Sequence, residues 1–193
     1  MKKVKMGIQG GKGSFSEEAA QIFSNNHGID NPQIVYLISS QAVLAEIETE
    51  CIQFGVFAME NAQGGVVIES VEAMAEYRCH IVEMFHIPVS QNFLSMEGVN
   101  MGDVTEIHSH QQALRQCKDY LAEHFWTRPL IEADDTAEAA RRLSQGKLPK
   151  TAAVIGSKYC AELYGLNILD EDIHDLKHNL TLFLGVEKIE ESE

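Results

Sequence analysis

Short apolar runs rich in β-branched residues alternate with segments of helical periodicity along most of the chain. Val4–Gln9, Gln33–Leu37, Phe54–Ala58, Cys79–Val89, Glu106–His108, Leu130–Ala133, Ala152–Ile155, Asn167–Leu169 and Thr181–Val186 read as strands. Between them, helices are expected from Ser14 to about Ser24, over Ser40–Glu48, up to about Tyr77, over Ser109–His124, from Asp135 to about Ser144, and over Ser157–Tyr164. Regular strand–helix alternation predicts an α/β protein with largely parallel sheets. The strands are short and the pattern restarts near residue 90. Two small lobes are therefore expected rather than one wide sheet.

Capping chemistry marks the helix starts. Ser14 and Asp135 each carry a glutamate three residues on, the pattern in which cap and glutamate satisfy each other's backbone N–H. Gly165 closes the Ser157 helix. With 193 residues, 45% of them hydrophobic, the chain has enough apolar surface for one or two cores without staples. Its four cysteines, Cys51, Cys79, Cys117 and Cys160, have no zinc-type spacing and read as reduced small hydrophobes. The tail Glu187–Glu193 reads as a disordered acidic end.

Charge excludes some functions. Fifteen basic residues against 29 acidic ones give −14, the opposite of an electropositive nucleic-acid footprint. No apolar stretch approaches the roughly 20 residues that span a bilayer. Met1-Lys2-Lys3 begins like a signal peptide, but Lys5, Gln9 and Lys12 interrupt any apolar core. A soluble cytoplasmic protein is expected.

Three helices start just after loops of small polar residues: Gly13–Ser16, His108–Gln112 and Asp134–Ala137. Helix N-termini offer unpaired N–H groups and partial positive charge, so they can hold an anion without Lys or Arg. Each could equally be an ordinary cap. Gly10–Gly13 lacks the GK[ST] ending of a phosphate loop and is not GxGxxG. Ser109, Gln112 and Gln116 fall at i, i+3, i+7, on one face of the expected helix. The pairs His108/His110 and His174/His178 have no third ligand placed by spacing, so no metal is expected.

Taken together, these segments resemble the prephenate dehydratase family. Gly10–Ala20 resembles its opening GPxGTFSxxAA, and Gly55–Ala62 its GxxPIENS segment. Ser109–Cys117 is similar to SHPQALxQC, Asp135–Ala140 to STAEAA, and Asn179–Phe183 to the NxTRF signature. The resemblance implies a two-lobed α/β fold of the type II periplasmic-binding-protein kind, with the active site in an interlobe cleft. The first lobe would take residues 1–79 plus 167–193 and the second 80–166. It implies conversion of prephenate to phenylpyruvate, carbon dioxide and water without a cofactor, in a homodimer or larger homo-oligomer.

Carried over, Thr181 is the donor to the departing hydroxyl, and Asn61, Ser109 and Gln116 orient the substrate. Glu60 and Gln112 support them. Ser14, Thr136, Ala137 and Phe183 complete the substrate-binding set. The family's arginine after the threonine is Leu182 here, and its prolines are Ala58 and Gln111. Loss of a planar cation from a site for a dianion leaves two other readings: a non-aromatising prephenate decarboxylase, or a non-catalytic small-anion binding protein. The resemblance takes in the catalytic domain alone, so no ACT regulatory domain and no response to phenylalanine are expected.

Overall fold

The computed structural model describes residues 3–189. In chain order its elements are β1 (Lys5–Ile8), α1 (Phe15–Asn26), β2 (Gln33–Tyr36), α2 (Ser40–Glu48), β3 (Phe54–Asn61), β4 (Gly65–Val66), α3 (Ile68–Glu76) and β5 (His80–Pro88). There follow β6 (Asn92–Ser95), β7 (Glu106–Ser109), α4 (Gln111–Gln116), α5 (Lys118–Phe125), β8 (Leu130–Glu132) and α6 (Thr136–Ser144). The chain ends with β9 (Ala152–Gly156), α7 (Lys158–Tyr164), β10 (Asn167–Asp170) and β11 (Leu180–Glu187). A short 3-10 turn, Met101–Asp103, precedes β7.

The class is α/β, in two units: residues 1–88 with 180–193, and residues 89–179. The boundaries differ from those read at 79/80 and 166/167, for a pairing reason. β5 pairs with β11 along its whole length, which keeps it in the first unit. β10 pairs with β6 and so belongs to the second.

The first unit's sheet runs β2-β1-β3-β11-β5, with β4 hairpinned onto β3. β2, β1 and β3 are parallel, whereas β11 runs antiparallel to both its neighbours. One face packs Met6, Ile8, Val56, Phe85 and Phe183 under α1, whose Ala19, Ala20 and Phe23 are buried. The other packs Phe57, Leu184 and Val186 under Val43, Leu44 and Ile47 of α2 and Ala73 of α3.

The second unit's sheet runs β10-β6-β9-β7-β8. β9, β7 and β8 are parallel, and β6 runs antiparallel to both its neighbours, β9 and β10. Both sheets are thus mixed rather than largely parallel. The antiparallel member β6 was not foreseen, because all four of its residues are buried and show no alternation.

The expected helix over Ser109–His124 is two helices. The break at Cys117 (φ −114°, ψ 23°) has no glycine or proline to announce it. Its cause is a distant segment. Asp175 donates its backbone N–H to the Gln116 carbonyl (2.7 Å), ending α4. Its carboxylate accepts from the Asp119 N–H (3.2 and 3.3 Å), starting α5. One residue caps both ends of the break. Elsewhere the local signals hold: Ser157 caps α7 and Gly165 ends it at φ 63°. In the acidic tail, Glu187 is the last residue of β11, while residues 190–193, like Met1 and Lys2, lie outside the described residues.

Candidate active site

In the first unit, β1 and β3 are parallel, and β11 runs antiparallel to β3. The loop after β1, the end of β3 and the start of β11 therefore lie at one end of the sheet. That end brings together Ser14, Asn61 and Thr181. Thr181 and Asn61 are direct cross-strand partners, and the Asn61 amide donates to the Thr181 hydroxyl (Nδ2–Oγ1, 2.9 Å). Asn61 is itself held, since its Oδ1 accepts from the N–H groups of Gln63 (3.1 Å) and Gly64 (2.7 Å). The tight turn into β4 thus fixes the amide, and the amide fixes the threonine. Because Thr181 Oγ1 accepts this bond, its own O–H proton is directed elsewhere. The residue is buried, with 6% exposure.

β3 was expected to end at Ala58 but continues to Asn61. The continuation carries an irregularity: Leu182 faces Glu60 while Phe183 faces Ala58, leaving Met59 as an extra residue. A bulge of this kind re-aims the strand beyond it, here the stretch bearing Asn61.

Alternation along β11 sorts the remaining expectations. Thr181 and Phe183 share the face under α1, where Phe183 is a core residue stacked on Phe85 with ring centroids 6.2 Å apart. Leu182 belongs to the opposite face, between its cross-strand partners Glu60 and His86. Glu60 is therefore not brought to Thr181. An arginine at position 182 would stand beside a carboxylate; the leucine leaves Glu60 without that neighbour.

Ser14 caps α1 as expected (Glu17 N to Oγ, 3.4 Å). The reciprocal half of the box is displaced by one residue. The Glu17 carboxylate accepts from the Gly13 N–H (2.6 Å) and from the Tyr36 hydroxyl (2.8 Å). Gly13 adopts φ 92°, which glycine tolerates and which turns its N–H toward Glu17. This helix N-terminus already holds a protein carboxylate.

In the second unit, β7, β8 and β9 end on one side of the sheet, and β6 begins there. That edge gathers Ser109, the Asp135–Ala137 cap, Ser157 and the chain just before β6. Ser109 is not the helix cap. It is the last residue of β7, fully buried, and its hydroxyl donates to the Ile155 carbonyl (2.9 Å). The cap is His110, whose Nδ1 accepts from the Gln112 N–H (3.2 Å). Ser109, Gln112 and Gln116 are therefore not three points on one helix face.

Gln116 is buried at the end of α4, and its Oε1 accepts from Gln91 Nε2 (3.0 Å). Gln91 carries no motif signal in the sequence: it lies in the polar run Ser90-Gln91-Asn92, which has no pattern that marks it. Asp135 caps α6 by accepting from the Ala137 N–H (3.2 Å) and the Thr136 hydroxyl (3.3 Å). Glu138 does not complete a box, because Arg141 holds it (2.7 and 2.8 Å). This N-terminus too is occupied by a protein carboxylate.

His174, one of the histidines weighed as a metal ligand, is buried and accepts at Nδ1 from the Gln91 N–H (3.3 Å). Burial holds its pKa below the usual 6.5. Among the described residues no group of three His, Cys, Asp or Glu side chains is placed to hold a metal ion. No described helix is long and apolar enough to cross a membrane. None of the four cysteines is in a disulfide. Cys51 is exposed and Cys79 intermediate, and Cys117 and Cys160 are buried, with burial pushing the Cys117 thiol up to about 12.

A family profile described as prephenate dehydratase matches residues 6–191. The chain is 35% identical over 184 residues to arogenate dehydratase/prephenate dehydratase 1 of Arabidopsis thaliana, a chloroplastic protein, covering 94% of this chain and 44% of that one. It is 28% identical over 181 residues to the bifunctional chorismate mutase/prephenate dehydratase of Pseudomonas aeruginosa, covering 94% and 48%. The chain thus spans about half the length of the curated relatives it matches. Among solved structures, the prephenate dehydratase of Arthrobacter aurescens in complex with L-Phe aligns with a TM-score of 0.87 at 24% identity. That alignment covers 97% of this chain and 61% of that one, a likeness of fold. With the profile spanning nearly every residue from β1 to the end of β11, the chain belongs to the prephenate dehydratase family.

Proposed function

We propose that the chain converts prephenate to phenylpyruvate, carbon dioxide and water. The observation that carries this reading is the Asn61–Thr181 hydrogen bond at the paired ends of β3 and β11. Prephenate loses its ring carboxylate as carbon dioxide. The electron pair of that bond enters the ring, the ring C–O bond breaks, and the departing hydroxyl takes up a proton to leave as water. Aromatisation supplies the driving force, so the protein needs only a positioned donor at the leaving oxygen. A threonine whose oxygen is already bonded by an amide is oriented for that task. Asn61 acts on Thr181, which makes it a positioning residue in this reading. Ser109, whose own proton goes to Ile155, contributes acceptor capacity, and Gln116 contributes its amide.

A second substrate deserves a place, because the Arabidopsis relative is named for both arogenate and prephenate. Arogenate carries an ammonium in place of the side-chain carbonyl and has one less net negative charge. A net charge of −14 favours the less anionic of the two. A cytoplasmic location and a homo-oligomeric state accompany the proposal and are open to fractionation and sedimentation.

The test is proton NMR of the products from purified protein with each substrate. A phenyl pattern, as phenylpyruvate or phenylalanine, is expected. Vinyl ring protons would identify a non-aromatising decarboxylase, and unchanged substrates would identify a binding protein.

A further inference from the structure

We infer that Gln9 is a further substrate-binding residue, its side-chain Nε2 donating to a carboxylate oxygen of the substrate. The inference deepens the proposed dehydratase reading and rests on it. Gln9 immediately follows β1, where the topology of the first unit's sheet changes direction. From β1 the chain goes to β2 on one side and then to β3 on the other. α1 packs on one face of the sheet and α2 on the opposite face. The two connections therefore diverge at the carboxyl ends of β1 and β3. In open α/β sheets, ligands bind in the crevice that such a divergence leaves.

The hydrogen bonds of Gln9 place its side chain at that point. In a parallel pair, a residue that donates its N–H to the neighbouring strand accepts, at its own carbonyl, from the N–H two residues further along that strand. Gln9 makes the first of these bonds, from its N–H to the Val56 carbonyl (3.2 Å). Its side chain makes the second, Oε1 accepting from the Ala58 N–H (3.1 Å). The amide thus takes the next place in the ladder between β1 and β3, where the backbone turns away through Gly10 at φ 128°.

A backbone N–H needs an acceptor, so this bond also decides which end of the amide lies where. Oε1 is committed to Ala58. Nε2 has no hydrogen-bond partner among the described residues, and it is not sealed in the interior, since the buried side-chain atoms without a partner there are Ser70 Oγ and Gln91 Oε1. A half-buried glutamine therefore opens its donor end to solvent at the end of the sheet that carries Asn61 and Thr181. Ala58 stands where the resembled motif has proline. A proline has no N–H and could not hold the glutamine, so Ala58 and Gln9 work as a pair. The pair gives this end of the sheet a neutral donor, and both prephenate and arogenate present two carboxylates to it.

The experiment is steady-state kinetics of the wild type, Gln9→Met and Gln9→Glu at pH 8, with prephenate and with arogenate. Methionine keeps the length and removes both ends of the amide. Glutamate keeps an acceptor for the Ala58 N–H and replaces the donor by an anionic oxygen. Gln9→Met should raise KM by about tenfold or more, the scale of one hydrogen bond to a charged group, with kcat changed by no more than about threefold. Gln9→Glu should raise KM further, although it keeps the bond to Ala58, because a carboxylate then faces a carboxylate. Thermal unfolding confirms that each variant is folded, and Gln9→Leu replaces the methionine variant if that one is not. A glutamine that only ties β1 to β3 gives the opposite order, with Gln9→Glu near wild type and Gln9→Met impaired, and that order would overturn the inference. An unchanged KM in Gln9→Met would overturn it too, and would leave the proposed function standing. A wild-type protein that turns over neither substrate would remove the proposed function, and the inference with it.

Discussion

Gly185 lies in β11, four residues beyond Thr181 on the same face, and a single methyl group there should disturb the strand. A Cβ built on Gly185 would sit 2.2, 2.4 and 3.0 Å from the Cε2, Cδ2 and Cζ atoms of Phe23. Ordinary carbon contacts are about 3.5 Å or more, so the nearest pair is short by about 1.3 Å. Phe23 has nowhere to retreat. It is fully buried, with its ring centroid 4.4 Å from that of His27, 5.7 Å from Phe54 and 6.3 Å from Phe85. Either α1 lifts or β11 bows away from it. Overpacking of this kind costs about 1–3 kcal/mol, and an overlap with a ring edge belongs at the upper end. At about 3 kcal/mol, Gly185→Ala should lower the melting temperature of a chain this long by about 6–12 °C. The assay is urea and thermal unfolding of Gly185→Ala, Phe23→Leu and the double variant. The smaller leucine should recover at least about 1 kcal/mol of the alanine's cost, a departure from additivity. Wild-type stability in Gly185→Ala, or strict additivity in the pair, would refute the claim that α1 and β11 are in contact at this point.

Other outcomes follow from the same geometry. His174 is buried below its usual pKa of 6.5, so the unfolded chain binds its proton more readily. Stability should therefore fall as pH drops below about 6.5, and His174→Gln should flatten that part of the urea-midpoint profile. At pH 8, alkylation followed by mass spectrometry should label exposed Cys51 first, and Cys117 and Cys160 only after unfolding. Leu182→Arg places a cation beside Glu60 on the face away from Thr181, so the ratio of kcat/KM for prephenate and arogenate should change by no more than about twofold. Ser109→Ala should cost about 1 kcal/mol in urea unfolding, because the buried Ile155 carbonyl loses its side-chain donor.

What could be read from the sequence was local chemistry. Ser14, Asp135, Ser157 and Gly165 stand where the caps are, because a cap is decided within a few residues. The order of strands and helices was legible for the same reason. The misses are long-range. Cys117 interrupts a helix that periodicity alone would continue, since the residue that caps both halves, Asp175, is 56 positions from Asp119. Ser109 belongs to a strand because β7 pairs with β9 and β8, and no feature of its own neighbours shows this. Glu17 and Glu138 sit where capping-box glutamates sit, yet Tyr36 and Arg141 alter what their carboxylates do. At the site, the motifs named Asn61 and Thr181 separately. The 2.9 Å bond across 120 positions, and the face it assigns to Leu182 and Glu60, required the register of β3 and β11.

The central claim is that the Thr181 hydroxyl, oriented by Asn61, donates to the departing oxygen. Turnover of prephenate and arogenate by Thr181→Val tests it most directly, with Thr181→Ser as companion. Valine keeps the shape and the strand preference and removes only the donor. kcat should fall by about a hundredfold or more, the scale of one positioned donor, with KM changed far less. Serine, which restores a hydroxyl to the same strand position, should recover much of the rate. A valine variant that turns over either substrate near the wild-type rate would contradict the account and take Thr181 out of the chemistry.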